Sequence, residues 1–167
     1  RVMITQPRRI AARSLADYLA REQQGKLGEA IGYQTGFDKK YTAGTRLLYV
    51  TDGVQILREI NHPLDYDLLI LDEIHEWNLN QEVLAGMVKG YLGNPKVRKS
   101  GKRILIMSAT LDAGRLSAFF DHAPVVSVQG RGYPVSHIQH GEGFILSDTV
   151  AMIREEMNAL VFLPGKQ

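Results

Sequence analysis

The sequence contains no cysteine, which excludes the classes of protein that depend on disulfide bonds or on zinc–thiolate sites. It also lacks any apolar run approaching the ~20 residues that a membrane-spanning helix needs, and it has no signal-peptide pattern. Neither sign of charge dominates, because 20 basic and 18 acidic side chains leave a formal net charge of +2. Any contact with nucleic acid must therefore come from a local basic patch. Together these absences predict a cytoplasmic protein with no membrane partner.

The length of 167 residues predicts one compact domain that is large enough to build a hydrophobic core. The chain nevertheless begins at Arg1, without an initiator methionine and directly before the apolar residues 2–4, and it stops after Gln167. We therefore expect both ends to have been cut from a longer chain.

Along most of the sequence, short continuous apolar runs typical of strands alternate with segments whose apolar residues recur at helical spacing. Residues 68–71 form a continuous apolar run, typical of a strand buried on both faces. Leu84, Met87 and Val88 instead recur at the spacing of one helical face. This alternation predicts an α/β fold with a mostly parallel sheet and helices on both faces. The predicted strands are 2–4, 31–34, 46–50, 68–71, 103–107, 125–128 and 160–163; helices are predicted around 10–19, 54–60, 84–92, 116–120 and 150–157, and a basic loop at 96–102.

Polar or charged residues follow four of the predicted strands at the point where each strand ends. Ligands of such sheets bind beyond the carboxyl ends of the strands, so these residues predict one binding edge. The four strand ends read Thr5-Gln6-Pro7-Arg8-Arg9, Thr51-Asp52-Gly53, Asp72-Glu73-Ile74-His75 and Ser108-Ala109-Thr110.

Asp72 and Glu73 are the most informative of these residues. Two adjacent carboxylates at the end of a buried strand are costly unless a cation compensates them. Mg²⁺ on the phosphates of a nucleotide is a natural partner, because it takes one or two carboxylates together with water. Asp72 can then hold the metal, directly or through water, while Glu73 orients the attacking water. The alternative is a solvated pair that caps a helix, and the three other polar strand ends argue against it.

In their order along the chain, these segments resemble the motifs of the DEAH-box helicases. Asp72-Glu73-Ile74-His75 is similar to the family's signature, in its Ile variant. The segments 5–12, 51–53 and 108–110 resemble motifs Ia, Ib and III, and 130–135 resembles the segment that ends the first lobe. Residues 161–165 are similar to the opening strand of the second lobe. The resemblance covers essentially the whole chain and implies a RecA-like P-loop NTPase lobe.

The resemblance also implies domain boundaries and roles. Residues 1–136 would be part of the first RecA-like, ATP-binding lobe, and 137–167 would cross to the second lobe of the same chain. Asp72 would help to hold Mg²⁺ on ATP, and Glu73 would polarise the water that attacks the γ-phosphate. His75, Ser108 and Thr110 would couple nucleotide state to lobe closure. Single-stranded nucleic acid, RNA rather than DNA, would be held along Gln6, Pro7, Arg8, Arg9, Thr51, Asp52 and Gly53.

The residues themselves agree with part of this assignment. Arg8 and Arg9 lie at the start of a predicted helix, which favours anions, although a solvated helix end is the alternative. Tyr33 and Trp77 could stack on bases, but we expect both to pack internally. A zinc-protease interpretation of His75 fails, because Leu79 stands where the second histidine would be needed.

Two departures from the family pattern limit the prediction. Gly36 stands where the family usually carries an arginine shortly before Phe37. No Gly-x-x-x-x-Gly-Lys-Ser/Thr loop is present, so this chain by itself is predicted to be inactive. Two other functions therefore stay open: a binding module that holds nucleic acid or protein without hydrolysis, and a motor ATPase that translocates on duplex DNA.

Overall fold

The computed structural model divides the chain into two compact units, Arg1–Val125 and Val126–Gln167. It describes residues 1–109, 113–128, 130, 134–136, 145–154, 158 and 160–162.

A six-stranded sheet forms the centre of the first unit. Its strands in chain order are β1 (Val2–Gln6), β2 (Ile31–Gln34), β3 (Lys39–Lys40), β4 (Leu47–Thr51), β5 (Leu68–Leu71) and β6 (Arg103–Ile106). Within the sheet they lie in the order β3-β2-β4-β1-β5-β6. All neighbouring strands are parallel except β2 and β3, which pair antiparallel at one edge.

Helices connect the strands. In the first unit they are α1 (Arg9–Glu22), α2 (Asp52–Asn61), α3 (Leu79–Leu92), α4 (Pro95–Lys99) and α5 (Ala113–Phe119), with a single 3₁₀ turn at Ile74–Glu76. The second unit contains α6 (Ile145–Arg154). Among the helices of the described ranges, none is long and apolar enough to cross a membrane.

The hydrophobic core of the first unit lies on both faces of its sheet, because successive side chains of a strand point to opposite faces. Met3 of β1 packs in the cluster that includes residues of α2 and α3, whereas the next residue, Ile4, packs in the cluster with α1. Helix α1 contacts the sheet through three buried alanines one turn apart, Ala12, Ala16 and Ala20. Such small side chains let the helix lie close to the strands. The predicted α/β fold, with helices on both faces of a mostly parallel sheet, is confirmed and is consistent with a RecA-like lobe.

Strand register brings the polar strand ends to one edge of the sheet. Gln6 pairs with Thr51 across β1 and β4, and Thr5 pairs with Leu71 across β1 and β5. Because these strands are parallel, the residues that follow them leave the sheet at neighbouring positions.

Two predictions of local structure are wrong. Residues 125–128 form no strand, because an apolar β-branched run also needs a neighbouring strand, and Val126 and Val128 stay 85% and 84% exposed. The predicted basic loop contains α4, whose start is capped by the Asn94 side chain, which accepts from the backbone N–H of Lys96.

The remaining predictions concern the end of the chain. Residues 160–162 are described without strand structure, whereas Leu163, which completes the predicted strand, lies outside the described residues. Met157, at the end of the last predicted helix, also lies outside them. The predicted domain boundary at residue 136 stays a prediction.

Candidate active site at the carboxyl edge of the sheet

The carboxyl edge brings Gln6 and Asp72 into direct contact across 66 residues of chain. Gln6 is the last residue of β1, and its Nε2 donates a hydrogen bond to Asp72 Oδ2 at 2.6 Å. The other carboxylate oxygen of Asp72 accepts from the backbone N–H of Glu73 at 2.9 Å. Both oxygens of Asp72 thus have a donor that fixes the carboxylate, while the residue stays only half-buried.

Glu73 lies in a strained turn. Its φ of 53° and ψ of 35° are left-handed, and Trp77 at the far end of the same 3₁₀ turn has a φ of 42°. Such conformations cost roughly 1–3 kcal/mol for residues other than glycine, so the surrounding contacts must hold them. Ile74, only 1% exposed, anchors the turn in the core, and its N–H donates to the carbonyl oxygen of Met107, directly after β6. The side chain of Glu73 itself is 45% exposed.

The start of α3 supports this turn from the side. Asn78 and Gln81 form a capping box, in which the Asn78 side chain accepts from the N–H of Gln81 and the Gln81 side chain accepts from the N–H of Asn78. The Gln81 amide also donates to the carbonyl oxygens of Glu73 at 3.1 Å and Asp72 at 3.5 Å. Asn78 Nδ2 donates to Asp52 Oδ2 at 3.3 Å. Asn78 and Gln81 were not among the predicted site residues, although a capping residue and a glutamine three positions later are visible in the sequence.

Asp52 is a buried carboxylate at the start of α2. It is 2% exposed, and this burial raises its pKa, while the hydrogen bond from Asn78 partly opposes the rise. Gln6 is equally buried. The side chains of these two predicted nucleic-acid-binding residues therefore lie inside the unit, where they contact Asn78 and Asp72 rather than open solvent.

Arg8 and Arg9 remain accessible at the N-terminus of α1. Arg8 is the N-cap residue of a helix whose first turn has no acidic residue and no side-chain cap. Its guanidinium contacts Glu76 Oε1 at 3.0 Å. Arg8 therefore touches the 3₁₀ turn that follows Glu73. The Arg9 guanidinium lies 4.9 Å from the ring centroid of Phe37, which is 86% exposed. Pro7 precedes this N-cap and is half-buried.

Thr51 and Gly53 flank the start of α2. Thr51 is the N-cap residue, and its side chain makes no capping hydrogen bond. Both residues are half-buried, and among the described residues a Cβ at Gly53 would meet Asn80 Nδ2 at 3.7 Å, an ordinary contact distance. The backbone at this helix start can therefore be approached closely.

Of the three candidate coupling residues, His75 lies beside the Glu73 carboxylate. His75 Nδ1 lies 3.3 Å from Glu73 Oε2. Ser108 is exposed in the segment after β6, while Thr110 lies outside the described residues. Of the two aromatic residues predicted to pack, Tyr33 is buried, but Trp77 is 45% exposed, because the turn that carries it ends at the surface.

Asp72 and Glu73 are the carboxylates at this edge that could hold a cation. Within the ranges that the structure describes, no group of three or more His, Cys, Asp or Glu side chains could hold a metal ion. A cation here would therefore need ligands from water or from a bound nucleotide.

Comparison with known proteins agrees with the motifs. No protein-family model matches the chain. A protein of Saccharomyces cerevisiae (strain ATCC 204508 / S288c) named "Probable ATP-dependent RNA helicase DHR2" is 39% identical over 179 aligned residues. The match covers 99% of this chain but 24% of that relative, so the chain spans about a quarter of the relative's length. Along essentially its whole length the chain is similar to an ATP-dependent RNA helicase, and the resemblance to the DEAH-box helicases drawn from its motifs is confirmed.

Proposed function

We propose that this chain is the greater part of the first RecA-like lobe, residues 1–136, of an ATP-dependent RNA helicase, followed by a crossover and the start of the second lobe, residues 137–167. The complete protein would couple ATP hydrolysis to movement along RNA or to its unwinding. One observation carries the proposal: Gln6, at the end of the strand that leads to Arg8 and Arg9, donates directly to Asp72 beside Glu73. A nucleic-acid-binding surface and a nucleotide-binding site would share this edge of the sheet.

The carboxylates fit a magnesium ion that is held mainly by water and phosphate oxygens. Mg²⁺ prefers oxygen ligands and is commonly bound through one or two carboxylates. Asp72 would face it with a carboxylate whose orientation is fixed by Gln6 and by the N–H of Glu73. When bound, the ion would supply positive charge to the phosphates of ATP.

Glu73 would orient the attacking water. Its side chain is 45% exposed and can accept a hydrogen bond from water. His75 Nδ1 lies 3.3 Å from Glu73 Oε2 without forming a hydrogen bond, so the imidazole would orient the carboxylate only after a side-chain rotation. The N–H of Ile74 bonds to Met107, so a movement of the segment that contains Ser108 would reach the turn of Glu73. We propose the same coupling role for Thr110 on the resemblance alone.

RNA would be held along the edge by Arg8, Arg9 and the backbone around Thr51 and Gly53. The contact between Arg8 and Glu76 is a surface ion pair, which contributes only about 0–1 kcal/mol, so a phosphate can replace it. Gln6 and Asp52 would act from inside the unit by fixing Asp72 and Asn78, and Pro7 by ending β1 before the basic pair. Contacts to phosphates position a strand without reading its bases.

This chain alone is expected to hydrolyse ATP at a negligible rate, because it has no glycine-rich loop with lysine to neutralise the phosphates. The same absence leaves a non-hydrolysing binding module as the second candidate. The cytoplasmic location predicted from composition stays a prediction.

The test is RNA-stimulated ATP hydrolysis by the complete protein. Glu73→Gln is expected to lower kcat by about 100-fold or more, while nucleotide affinity is retained, because the variant loses the acceptor that orients and deprotonates water. Glu82→Gln, at an exposed position of α3, is the matched control and should leave kcat unchanged.

Each failure has a distinct meaning. Wild-type hydrolysis in Glu73→Gln would remove Glu73 from its role. An inactive complete protein that still binds RNA would favour the binding module. Stimulation by duplex DNA but not by RNA would identify a DNA-translocating ATPase.

A further inference from the structure

Gln81 lies outside the helicase motifs that the sequence analysis identified, yet its side chain contacts the backbone that carries both acidic residues. It is 2% exposed, and its amide donates to the carbonyl oxygens of Glu73 and Asp72. We propose that Gln81 is a positioning residue, which holds the carboxylate of Glu73 in place for water activation. The inference rests on the role proposed for Glu73.

The turn of Glu73 needs such an external contact. Its carbonyl oxygen also accepts from the N–H of Glu76 at 3.0 Å, but that bond lies within the turn. The bond from Gln81 ties the left-handed residue to α3, a 14-residue helix whose inner face packs in the core. Removing it would let Glu73 relax towards a more favourable backbone conformation, and its carboxylate would move with the backbone.

The helix end that carries Gln81 is itself fixed. Asn78, which exchanges two hydrogen bonds with Gln81, also donates to buried Asp52 on α2. The path Asp52–Asn78–Gln81–Glu73 therefore joins the start of α2 to the turn through buried and half-buried groups. A displacement of Gln81 would have to break several of these contacts together.

Helix capping alone does not explain the choice of glutamine. A capping box needs only an acceptor at this position, and glutamate supplies one as well as glutamine does. Only glutamine adds N–H donors, and both acceptors of those donors are the backbone carbonyls of Asp72 and Glu73. The donor half of the side chain is therefore directed at the proposed active site.

The experiment uses this difference in the complete protein. Gln81→Glu keeps the cap and loses the donors, whereas Gln81→Met loses both at similar volume. Both variants are expected to lower kcat for RNA-stimulated ATP hydrolysis by about 10- to 100-fold, because small displacements of a catalytic group have effects of this size. The KM for ATP should stay within about two-fold of wild type, since Gln81 contacts neither phosphate nor base in this assignment.

Gln55→Met is the matched control. Gln55 is also a buried glutamine, 1% exposed, and it donates to a carboxylate, Glu59, at 2.6 Å. It lies on α2, outside the contacts of the Asp72–Glu73 turn. The control should lower the thermal unfolding midpoint but leave kcat unchanged below that midpoint.

A double variant completes the test. If Gln81 acts through Glu73, Gln81→Met should reduce kcat no further in a Glu73→Gln background. Independent, multiplying losses would overturn the inference. So would severe loss in Glu73→Gln together with wild-type kcat in both Gln81 variants, which would leave the proposed function intact. Wild-type hydrolysis in Glu73→Gln would instead overturn the function proposed for Glu73, and the inference with it.

Discussion

Gln6 donates to Asp72 and Gln55 donates to Glu59, and both hydrogen bonds are 2.6 Å long. Their surroundings differ. Glu59 is 3% exposed, and its second oxygen accepts from the N–H of Leu64. Asp72 is half-buried at the edge of the sheet. The next residue, Glu73, has a strained backbone and a side chain that is 45% exposed.

The tyrosines near Glu59 show how enclosed its cluster is. Burial, together with the negative charge of Glu59, raises the pKa of Tyr66 far above its ordinary value. The same causes raise the pKa of Tyr91 to about 12. Each phenol therefore keeps its proton to a higher pH than a free tyrosine does. A hydrogen bond from glutamine to a carboxylate thus stabilises the fold when the carboxylate is buried, and can support chemistry when the carboxylate faces water.

The largest effect on the free energy of unfolding is expected for the loss of the buried Glu59 carboxylate. Glu59→Ala leaves Gln55 Nε2 and the N–H of Leu64 without their acceptor in a buried site. Since each unsatisfied buried donor costs about 1–3 kcal/mol, we expect the free energy of unfolding to fall by about 3 kcal/mol, measured by urea denaturation. Glu82→Ala, on the exposed side of α3, should change it by less than about 0.5 kcal/mol. Equal stability of the two variants would mean that the Glu59 cluster does not support the fold.

An intermediate effect, on RNA affinity, is expected at the exposed Arg8. In the complete protein with ATP, Arg8→Ala should weaken single-stranded RNA binding equally across sequences and reduce the salt dependence by roughly one unit of slope. The measurement is RNA affinity at several salt concentrations.

Arg21→Ala is the control for Arg8. It removes an exposed arginine at the other end of α1, where Arg21 pairs with Asp17 at 2.6 Å. Its slope should stay at the wild-type value. An unchanged slope in Arg8→Ala would show that Arg8 does not contact phosphate, and a sequence-selective loss would point to base reading.

The smallest effect concerns Asp52, which is buried like Glu59 but bonded to the edge. Because burial raises its pKa above 3.8, the folded state binds the proton more tightly than the unfolded state does. Its contribution to stability is therefore present below pH 3.8 and is lost as pH rises through the higher folded pKa. Asp52→Asn should match wild type at low pH and gain in relative melting temperature as pH rises to 7, measured by thermal unfolding across that range. A difference independent of pH would contradict the raised pKa.

Sequence patterns alone determined the architecture and the position of the edge. The apolar run of β5 and the spacing on α3 predicted their elements because burial imposes a period on each. The ordered motifs then predicted that Gln6, Thr51 and Asp72 share an edge, since parallel strands end on the same side. Residues 125–128 show the limit, because a strand also depends on a partner that the run itself cannot specify.

Whether a polar residue at this edge faces solvent or is buried depends on tertiary packing. Asp52 and Gln6 carry the same motif signals as Arg8, yet their side chains are buried and the Arg8 side chain is not. Gln81 belongs to none of the family motifs, but the fold brings its amide within hydrogen-bond distance of the backbone carbonyls of Asp72 and Glu73. Burial and hydrogen-bond partners arise from packing between elements that are distant in sequence, as in the 66 residues that separate Gln6 from Asp72. Local spacing carries little information about such contacts, which is why the support of Glu73 became visible only in three dimensions.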